Sequence, residues 1–332
     1  MLMSAHKISV IGIGKLGSEI HSVLSQKYEV KTIDKTFPVN KFGKVDYSNL
    51  GEVAFIVVPT PSVNDKFTSE YVENVLDQIT QEQIVSIIST LYPGETDRLQ
   101  KKYPHLTLVY NPAFVALGSV KHDFTHPDLV LIGSNDKKAT EIVWNVLKKV
   151  VLSSPKVCVM SPVEAEIAKL TLNCYITTKI TFANQIGNLC YAANVSPDLI
   201  LKAVGSDSRV GSKYFRAGLG YGGPCFPRDN LAMSAYMKQK GIKPALTQTV
   251  HNLNEAQADE IVKRIKKINP KTIGFKSFSY KEGTDVTECS PLLAVYDKLD
   301  KRKYTVVSGK GDITLDWNGI NLSGGENDTA RK

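Results

Sequence analysis

Paired cysteines, long apolar runs and low-complexity tracts are all missing from this 332-residue sequence, and each absence removes a class of protein. The five cysteines, at 158, 174, 190, 225 and 289, form no CxxC pair and show no metal-ligand spacing. A disulfide scaffold and a zinc-type site are therefore not expected, and free thiols in a reducing compartment are. No apolar stretch approaches the roughly 20 residues a spanning helix needs. The opening residues Met1–His6 lack the charged start and apolar core of a secretory leader, so the expected location is cytoplasmic. Glycine and proline, at 23 and 15 residues, are too few for a collagen-like or disordered chain. With 42% hydrophobic and 22% charged residues, the chain has material for a buried core and two or three domains.

The formal charge is +8, which raises a nucleic-acid reading. The lysines, however, are spread along amphipathic stretches such as Val262–Ile268, where a solvated helix face explains them more simply. The same excess would suit a doubly anionic small molecule, so charge alone does not choose a partner.

Residues 1–155 alternate short β-branched runs with segments of helical period. Strands are expected at Lys7–Ile11, Glu29–Ile33, Val53–Val58, Ile84–Ile88, Thr107–Tyr110 and Leu129–Ile132, and helices at Leu16–Ser25, Ser69–Ile79 and Lys137–Val150. Such alternation implies a parallel sheet covered by helices on both faces. From Ser161 to about Lys240 the period is helical throughout. Ser161-Pro162-Val163-Glu164 opens it with an N-cap serine, a proline at the first helical position and a glutamate at the third. That helix is expected to run past Leu189. After Asp259 the order becomes helix (Glu260–Ile268), strand (Lys271–Phe275), helix (Pro291–Leu299) and strand (Lys303–Val307), with three strands at most. The fold class is thus α/β: an N-terminal Rossmann-like sheet at 1–155, a central long-helix domain at 156–258 and a short α/β domain at 259–322. A polar tail at 323–332 is expected to be disordered.

One motif already carries chemistry. Gly12-Ile13-Gly14-Lys15-Leu16-Gly17 is G-x-G-x-x-G directly after a strand and opening a helix, and Asp34 closes the next strand. The first glycine permits the tight turn, the second lets a pyrophosphate approach the backbone, and the third packs helix on strand. Asp34 would accept hydrogen bonds from the adenosine ribose and repel a 2′-phosphate, which favours NAD over NADP. Lys35, next to the acid, keeps NADP open.

Several further segments belong together: Val57-Val58-Pro59-Thr60-Pro61, Ser89-Thr90-Leu91-Tyr92-Pro93-Gly94, Asn111-Pro112-Ala113-Phe114, Ala165-Glu166-Ile167-Ala168-Lys169 with Asn173, Asp207-Ser208-Arg209-Val210-Gly211, and Gly220-Tyr221-Gly222-Gly223-Pro224-Cys225-Phe226-Pro227-Arg228-Asp229. In these, over about residues 1 to 300, the chain resembles the UDP-glucose/GDP-mannose dehydrogenase family. The resemblance implies oxidation of the C6 alcohol of a nucleotide sugar to a carboxylate with two NAD, through a cysteine-bound intermediate. Cys225 matches the nucleophile, and Lys169 and Asn173 match residues that touch the reacting sugar and its oxyanion. Asp229 and Thr90 match residues that hold or deprotonate the reacting water or hydroxyl. Cofactor contacts are implied for Gly12, Ile13, Gly14, Leu16, Gly17, Asp34, Pro59, Thr60, Ser89, Thr90 and Arg228. Substrate contacts are implied for Phe114, Val115, Lys169, Asn173, Arg209, Tyr214, Arg216, Tyr221, Gly222, Gly223 and Lys281. Arg209 matches an arginine donated by a neighbouring subunit, which implies a homodimer built on the central domain. The other four cysteines are expected to pack within strands or helices.

Three departures from the family pattern bear on activity. Ala113 stands where the family carries the general-base glutamate of Asn-Pro-Glu-Phe, and Leu117 replaces a second glutamate. Glu288 stands where an NAD-contacting arginine is expected, and the third domain is shorter than usual. UDP-glucose is the expected substrate, with GDP-mannose, UDP-galactose or UDP-N-acetyl sugars as alternatives. A different class also fits the departures: a degenerate member that binds NAD or nucleotide sugar with little turnover. A one-step hydroxyacid dehydrogenase would leave the Gly-Gly-Pro-Cys-Phe-Pro-Arg-Asp segment without a role.

Overall fold

A computed structural model describes residues 7–35 and 45–322. The expected tail at 323–332 and the opening residues 1–6 lie outside the described residues. Two compact units divide at Lys169/Leu170, inside one long helix.

The first unit contains β1 (Lys7–Ile11), α1 (Lys15–Leu24), β2 (Glu29–Ile33), β3 (Ala54–Ile56), the small hairpin β4 (Ser62–Val63) and β5 (Lys66–Phe67), α2 (Glu70–Leu76), β6 (Gln83–Ile87), α3 (Glu95–Lys102), β7 (Leu106–Tyr110), α4 (Val120–Thr125), β8 (Leu129–Gly133), α5 (Lys137–Leu147) and β9 (Lys156–Met160). Seven strands form one sheet in the order β2-β1-β3-β6-β7-β8-β9. Every neighbour pair is parallel except β7 and β8, which meet antiparallel at Tyr110 and Gly133. Both faces are apolar, as a sheet covered on two sides requires. Ala54 and Ile56 of β3 join Val85 and Ile87 of β6 in a core against α2 and α3. Phe55, one residue out of phase, joins Ile8, Val10 and Ile88 against α1 and α5. The chain passes from β1 to β2 on one side and returns to β3 on the other. That reversal opens a crevice at the carboxyl end of β1, the place where such sheets bind ligands.

The second unit continues the helix α6 (Pro162–Ala192) and adds α7 (Pro197–Gly205), α8 (Phe226–Gln239), α9 (Ala245–Ile268), β10 (Thr272–Phe275), α10 (Pro291–Lys298), β11 (Thr305–Ser308), β12 (Ile313–Asp316) and β13 (Gly319–Leu322). A four-stranded sheet runs β11-β10-β12-β13, closed by the antiparallel β12–β13 hairpin. Its core joins Ile273, Phe275, Ile313 and Leu315 to Ile261 and Ile265 of α9 and Leu292 and Val295 of α10.

Most expected elements are present, and α6 starts and extends as its capping signature implies, with Ser161 Oγ and N both donating to the Glu164 carboxylate. Several boundaries differ. The count of three strands after Asp259 is corrected to four, because the Asp316–Gly319 turn folds the last segment back as a hairpin. The helix expected at 260–268 begins at Ala245. Residues 206–225 are not helical but form an irregular loop, since Gly211, Gly220 and Gly223 adopt positive φ. β9 was not among the expected strands; its pattern of intermediate burial has no clean period.

Candidate active site

Candidate site residues occur in both units. In the first unit, Gly12 ends β1 at φ +95°, and a Cβ there would lie 2.5 Å from the Val57 carbonyl oxygen. At Gly17, in the first turn of α1, a Cβ would lie 1.9 Å from the Gly12 carbonyl oxygen. Neither position admits a side chain. Gly14 caps α1 with no side-chain bond, and a Cβ on it would meet nothing within 4 Å. The backbone at Gly14 thus borders open space at the positive end of α1, as a pyrophosphate cradle requires. Asp34 Oδ2 accepts from Ile13 N at 2.8 Å, so the acid is tied to the loop it serves. Its Oδ1 accepts from Lys35 N at 2.8 Å, and each oxygen retains a lone pair for a ribose hydroxyl. These residues fit a dinucleotide. Leu16 is half-buried beside the loop.

The strand ends that flank this crevice are pinned by Ser89, whose hydroxyl donates to Val58 O at 2.7 Å and accepts from Val58 N at 3.0 Å. Thr60 is buried, Pro59 exposed and Thr90 half-buried on the loops beyond. At the end of the unit, Lys169 is 8% exposed. Its Nζ donates to Ala113 O at 2.8 Å and sits 4.5 Å from the centre of the Phe114 ring. Val115 follows, half-buried. Position 113 therefore contributes a carbonyl that orients the lysine and a methyl that can neither take nor give a proton.

Sequence reasoning assigned no role to Glu166, one turn before Lys169. It is fully buried, and its carboxylate accepts from Gly94 N, from Thr96 N at 2.7 Å and from Thr96 Oγ1 at 2.6 Å. Burial pushes its pKa up to about 7 against those donors, with a smaller contribution from Asp97. Glu166 thus caps α3 and holds the loop that follows Thr90.

In the second unit, Cys225 is exposed and occupies the N-cap of α8. The N-terminus of α8 carries partial positive charge at this position. Asp229 N closes the first turn onto Cys225 O at 2.8 Å. The Asp229 side chain is 1% exposed, and its Oδ2 accepts from Asn173 Nδ2 at 2.6 Å. Arg228 Nε faces Asp229 Oδ1 at 3.4 Å. Cys174 lies in the same region but is buried, and desolvation followed by the Asp229 charge pushes its thiol up to about 12. Of these two thiols, only Cys225 combines exposure with a helix N-terminus.

The glycine loop before Cys225 is built for close approach. A Cβ at Gly222 would lie 2.1 Å from the Cys289 carbonyl oxygen, and one at Gly223 (φ +80°) would lie 2.5 Å from the Tyr280 ring. Gly223 N donates to Glu288 O at 3.0 Å, so Glu288 serves this loop through its backbone. Lys281 Nζ sits 5.8 Å from the Tyr280 ring centre. Burial, and then the charge of Cys225, raises the Tyr280 pKa. Tyr221 is buried, bonded through its backbone to Asn254 at 2.8 and 3.0 Å and through its hydroxyl to Asn230 at 3.3 Å.

Not every expected residue joins this group. The Arg209 side chain is 87% exposed and pairs with Asp207 of its own turn at 2.8 and 3.0 Å. Tyr214 is exposed at φ +60°, and Arg216 Nη1 donates to Asn318 Oδ1 at 3.0 Å. Cys174 and Cys190 are buried as expected and Cys158 lies partly buried in β9. Cys289 is a correction: it is exposed in a loop at φ +49°, because the following Ser290 must turn the chain to cap α10. Among the described residues no group of three or more His, Cys, Asp or Glu could hold a metal ion, and no helix is long and apolar enough to cross a membrane.

A Rossmann-type sheet with a dinucleotide loop, followed in the chain by a helical unit presenting a cysteine on a glycine loop, defines the class of α/β proteins with a dinucleotide-binding first unit. Residues 40–151 match the NAD binding domain of the UDP-glucose/GDP-mannose dehydrogenase family and residues 163–256 its central domain, and the chain belongs to that family. UDP-glucose 6-dehydrogenase of Rickettsia bellii is 29% identical over 268 residues, covering 76% of this chain and 62% of the relative. The enzyme of the same name from Pseudomonas aeruginosa is 29% identical, covering 75% of this chain and 59% of the relative. The chain thus spans about three-fifths of the length of these curated relatives. Among solved structures, a UDP-glucose dehydrogenase from Pyrobaculum islandicum superimposes with a TM-score of 0.79 at 26% identity, covering 93% of this chain and 82% of that one.

Proposed function

We propose that the chain is an NAD-dependent nucleotide-sugar 6-dehydrogenase that oxidises UDP-glucose to UDP-glucuronate through Cys225. The observation that carries this reading is the first turn of α8. An exposed thiol sits at the helix N-terminus, and one turn on lies a buried carboxylate hydrogen-bonded to Asn173. The names of the relatives support the substrate. Bound NAD supplies a two-electron hydride acceptor, and two are consumed per sugar.

The chain's own residues do the rest. Loss of the first hydride and the hydroxyl proton leaves an aldehyde at C6. The Cys225 thiolate adds to it, giving a thiohemiacetal whose carbon still bears a hydrogen. Lys169, a cation held by Ala113 O, stabilises the oxyanion on that carbon, and Asn173 offers an amide donor from the same helix face. Loss of the second hydride leaves a thioester on Sγ. Water then attacks the acyl carbon and the C–S bond breaks; the water gives up both its protons, one on attack and the second as the new carboxylic acid ionises, and Asp229 with Thr90 orients it. The product is a carboxylate and the thiolate is restored.

Homodimer formation is part of the proposal. On α6, Tyr175, Phe182 and Leu189 are 59%, 52% and 63% exposed and fall one heptad apart. Such an apolar seam suits a second copy of the same helix, and Arg209 would then serve the neighbouring site. Five free thiols support a reducing, cytoplasmic setting.

A second reading is favoured by one observation, the methyl group at Ala113. Without a base there, the chain would bind NAD and nucleotide sugar with little turnover. A panel of UDP- and GDP-sugars separates the readings. NADH formation preferring UDP-glucose supports the dehydrogenase. Calorimetric binding of NAD and UDP-glucose without NADH supports the degenerate member, and preference for another sugar overturns the substrate assignment.

A further inference from the structure

The irregular loop before Cys225 has no helix or sheet to satisfy its backbone, so its peptide groups must find other partners. Two of its residues are held by side-chain amides of α6 and α9. Asn184 Oδ1 accepts from Gly218 N at 2.7 Å, and Gln257 Nε2 donates to Gly218 O at 2.9 Å. Asn254 serves both groups of one residue, accepting from Tyr221 N at 2.8 Å and donating to Tyr221 O at 3.0 Å. Asn188, one turn after Asn184 on α6, donates through Nδ2 to Gln257 Oε1 at 2.9 Å. An amide has one accepting and one donating end, so this bond turns Gln257 Nε2 toward Gly218 O. Asn184 and Gln257 are 3% and 4% exposed, which leaves little water to replace a lost partner. Between the two held residues Gly220 turns at φ +105°, where a Cβ would lie 2.7 Å from Asn254 Oδ1. Only glycine leaves that amide its place.

We infer that Asn184, Asn188, Asn254 and Gln257 are positioning residues for Cys225. The chain of contacts from these amides to the thiol is short. Tyr221 is buried, its ring meets that of Phe226 edge-on with centroids 6.2 Å apart, and its hydroxyl accepts from Asn230 Nδ2 at 3.3 Å. Asn230 is fully buried, and the same Nδ2 reaches Phe226 O at 3.1 Å and Thr177 Oγ1 at 2.8 Å. Phe226 follows Cys225 directly and opens α8. A loop fixed at Gly218 and Tyr221 therefore presents Gly222, Gly223 and Cys225 in one arrangement at the start of α8. The amides act through the loop rather than on the sugar. Their effect on turnover rests on the proposed function, whereas their hold on the loop does not.

The test uses the full chain and two shape-keeping variants. Asn254→Asp retains an acceptor for Tyr221 N but sets a carboxylate oxygen against Tyr221 O. Gln257→Met keeps the length of the side chain and releases Gly218 O. NADH formation from UDP-glucose is measured as separate kcat and KM values, at a temperature where melting curves show every variant folded. The rate at which iodoacetamide alkylates Cys225 is followed alongside by mass of its peptide. Each variant should lower kcat about tenfold, the worth of one unmade buried hydrogen bond, with KM for NAD unchanged. Asn188→Ala should lower kcat too, and should add nothing in the Gln257→Met background, since Asn188 acts by orienting Gln257.

A parent-like kcat in folded Asn254→Asp and Gln257→Met assigns the amides a structural role only and overturns the inference. Full additivity of Asn188→Ala and Gln257→Met overturns it as well. If the parent protein itself forms no NADH, the proposed function fails separately, and alkylation decides the positioning: a shifted rate in the folded variants upholds it, and parent rates overturn it.

Discussion

Glu166 ties stability to pH in a direction that can be worked from its surroundings. It is fully buried, and desolvation lifts its pKa from an ordinary 4.5 to about 7 despite three donors. For a carboxyl raised by folding, the native state holds the proton more tightly than the unfolded chain. Its stabilising contribution is therefore complete below about 4.5 and is lost as pH rises to about 7, then stays flat. At 1.36 kcal/mol per unit, a shift of this size corresponds to about 3 kcal/mol across the window. Glu166→Gln removes the titration while keeping the shape. The assay is denaturant unfolding of parent and variant at matched pH, following the transition of the first unit. Taking the difference cancels the other titrating groups. The variant should gain about 3 kcal/mol relative to the parent between pH 4.5 and 7.5. A difference flat with pH would refute the reasoning, and would mean that the donors from Gly94 and Thr96 compensate the burial completely.

The remaining predictions concern the site and the assembly. Cys225→Ser should eliminate the second NADH and any covalent sugar adduct, read by absorbance at substrate excess and by intact mass. If the missing base limits turnover, Ala113→Glu should raise the hydrolysis rate, toward the factor of about 10²–10⁴ that a positioned base supplies; an unchanged or lower rate would remove that explanation. Asp34→Ala should weaken NAD binding by about ten- to a hundredfold, the worth of charged hydrogen bonds to a ribose, measured by fluorescence titration. Phe182→Asp should convert the protein to a monomer in sedimentation velocity at micromolar concentration, and a parent chain already monomeric there would end the dimer proposal.

How much of this was legible in the sequence depended on whether a position is governed by local chemistry. Gly12, Gly14, Gly17 and Asp34 were readable because each answers to backbone sterics or to one charge within a single βα unit, and Glu164 because a capping box is local. The four-stranded second sheet was undercounted because β12 and β13 are four residues each and joined by a turn without a strong signature. Glu166 was invisible as a cap for α3, since its partners Gly94 and Thr96 lie about 70 residues away. Lys169 read as a functional cation through the family resemblance, but its orientation by the Ala113 carbonyl depends on backbone, which no side-chain pattern encodes. The exposure of Cys289 likewise follows from the turn that Ser290 imposes.

The central claim is that Cys225 carries the sugar through both oxidations and releases it. Counting NADH per UDP-glucose consumed, with the intact mass of the protein recorded at the end, tests it most directly. The account predicts two NADH for each sugar and a protein of unchanged mass. One NADH per protein molecule with no second oxidation, or no NADH while NAD and UDP-glucose both bind, would contradict it.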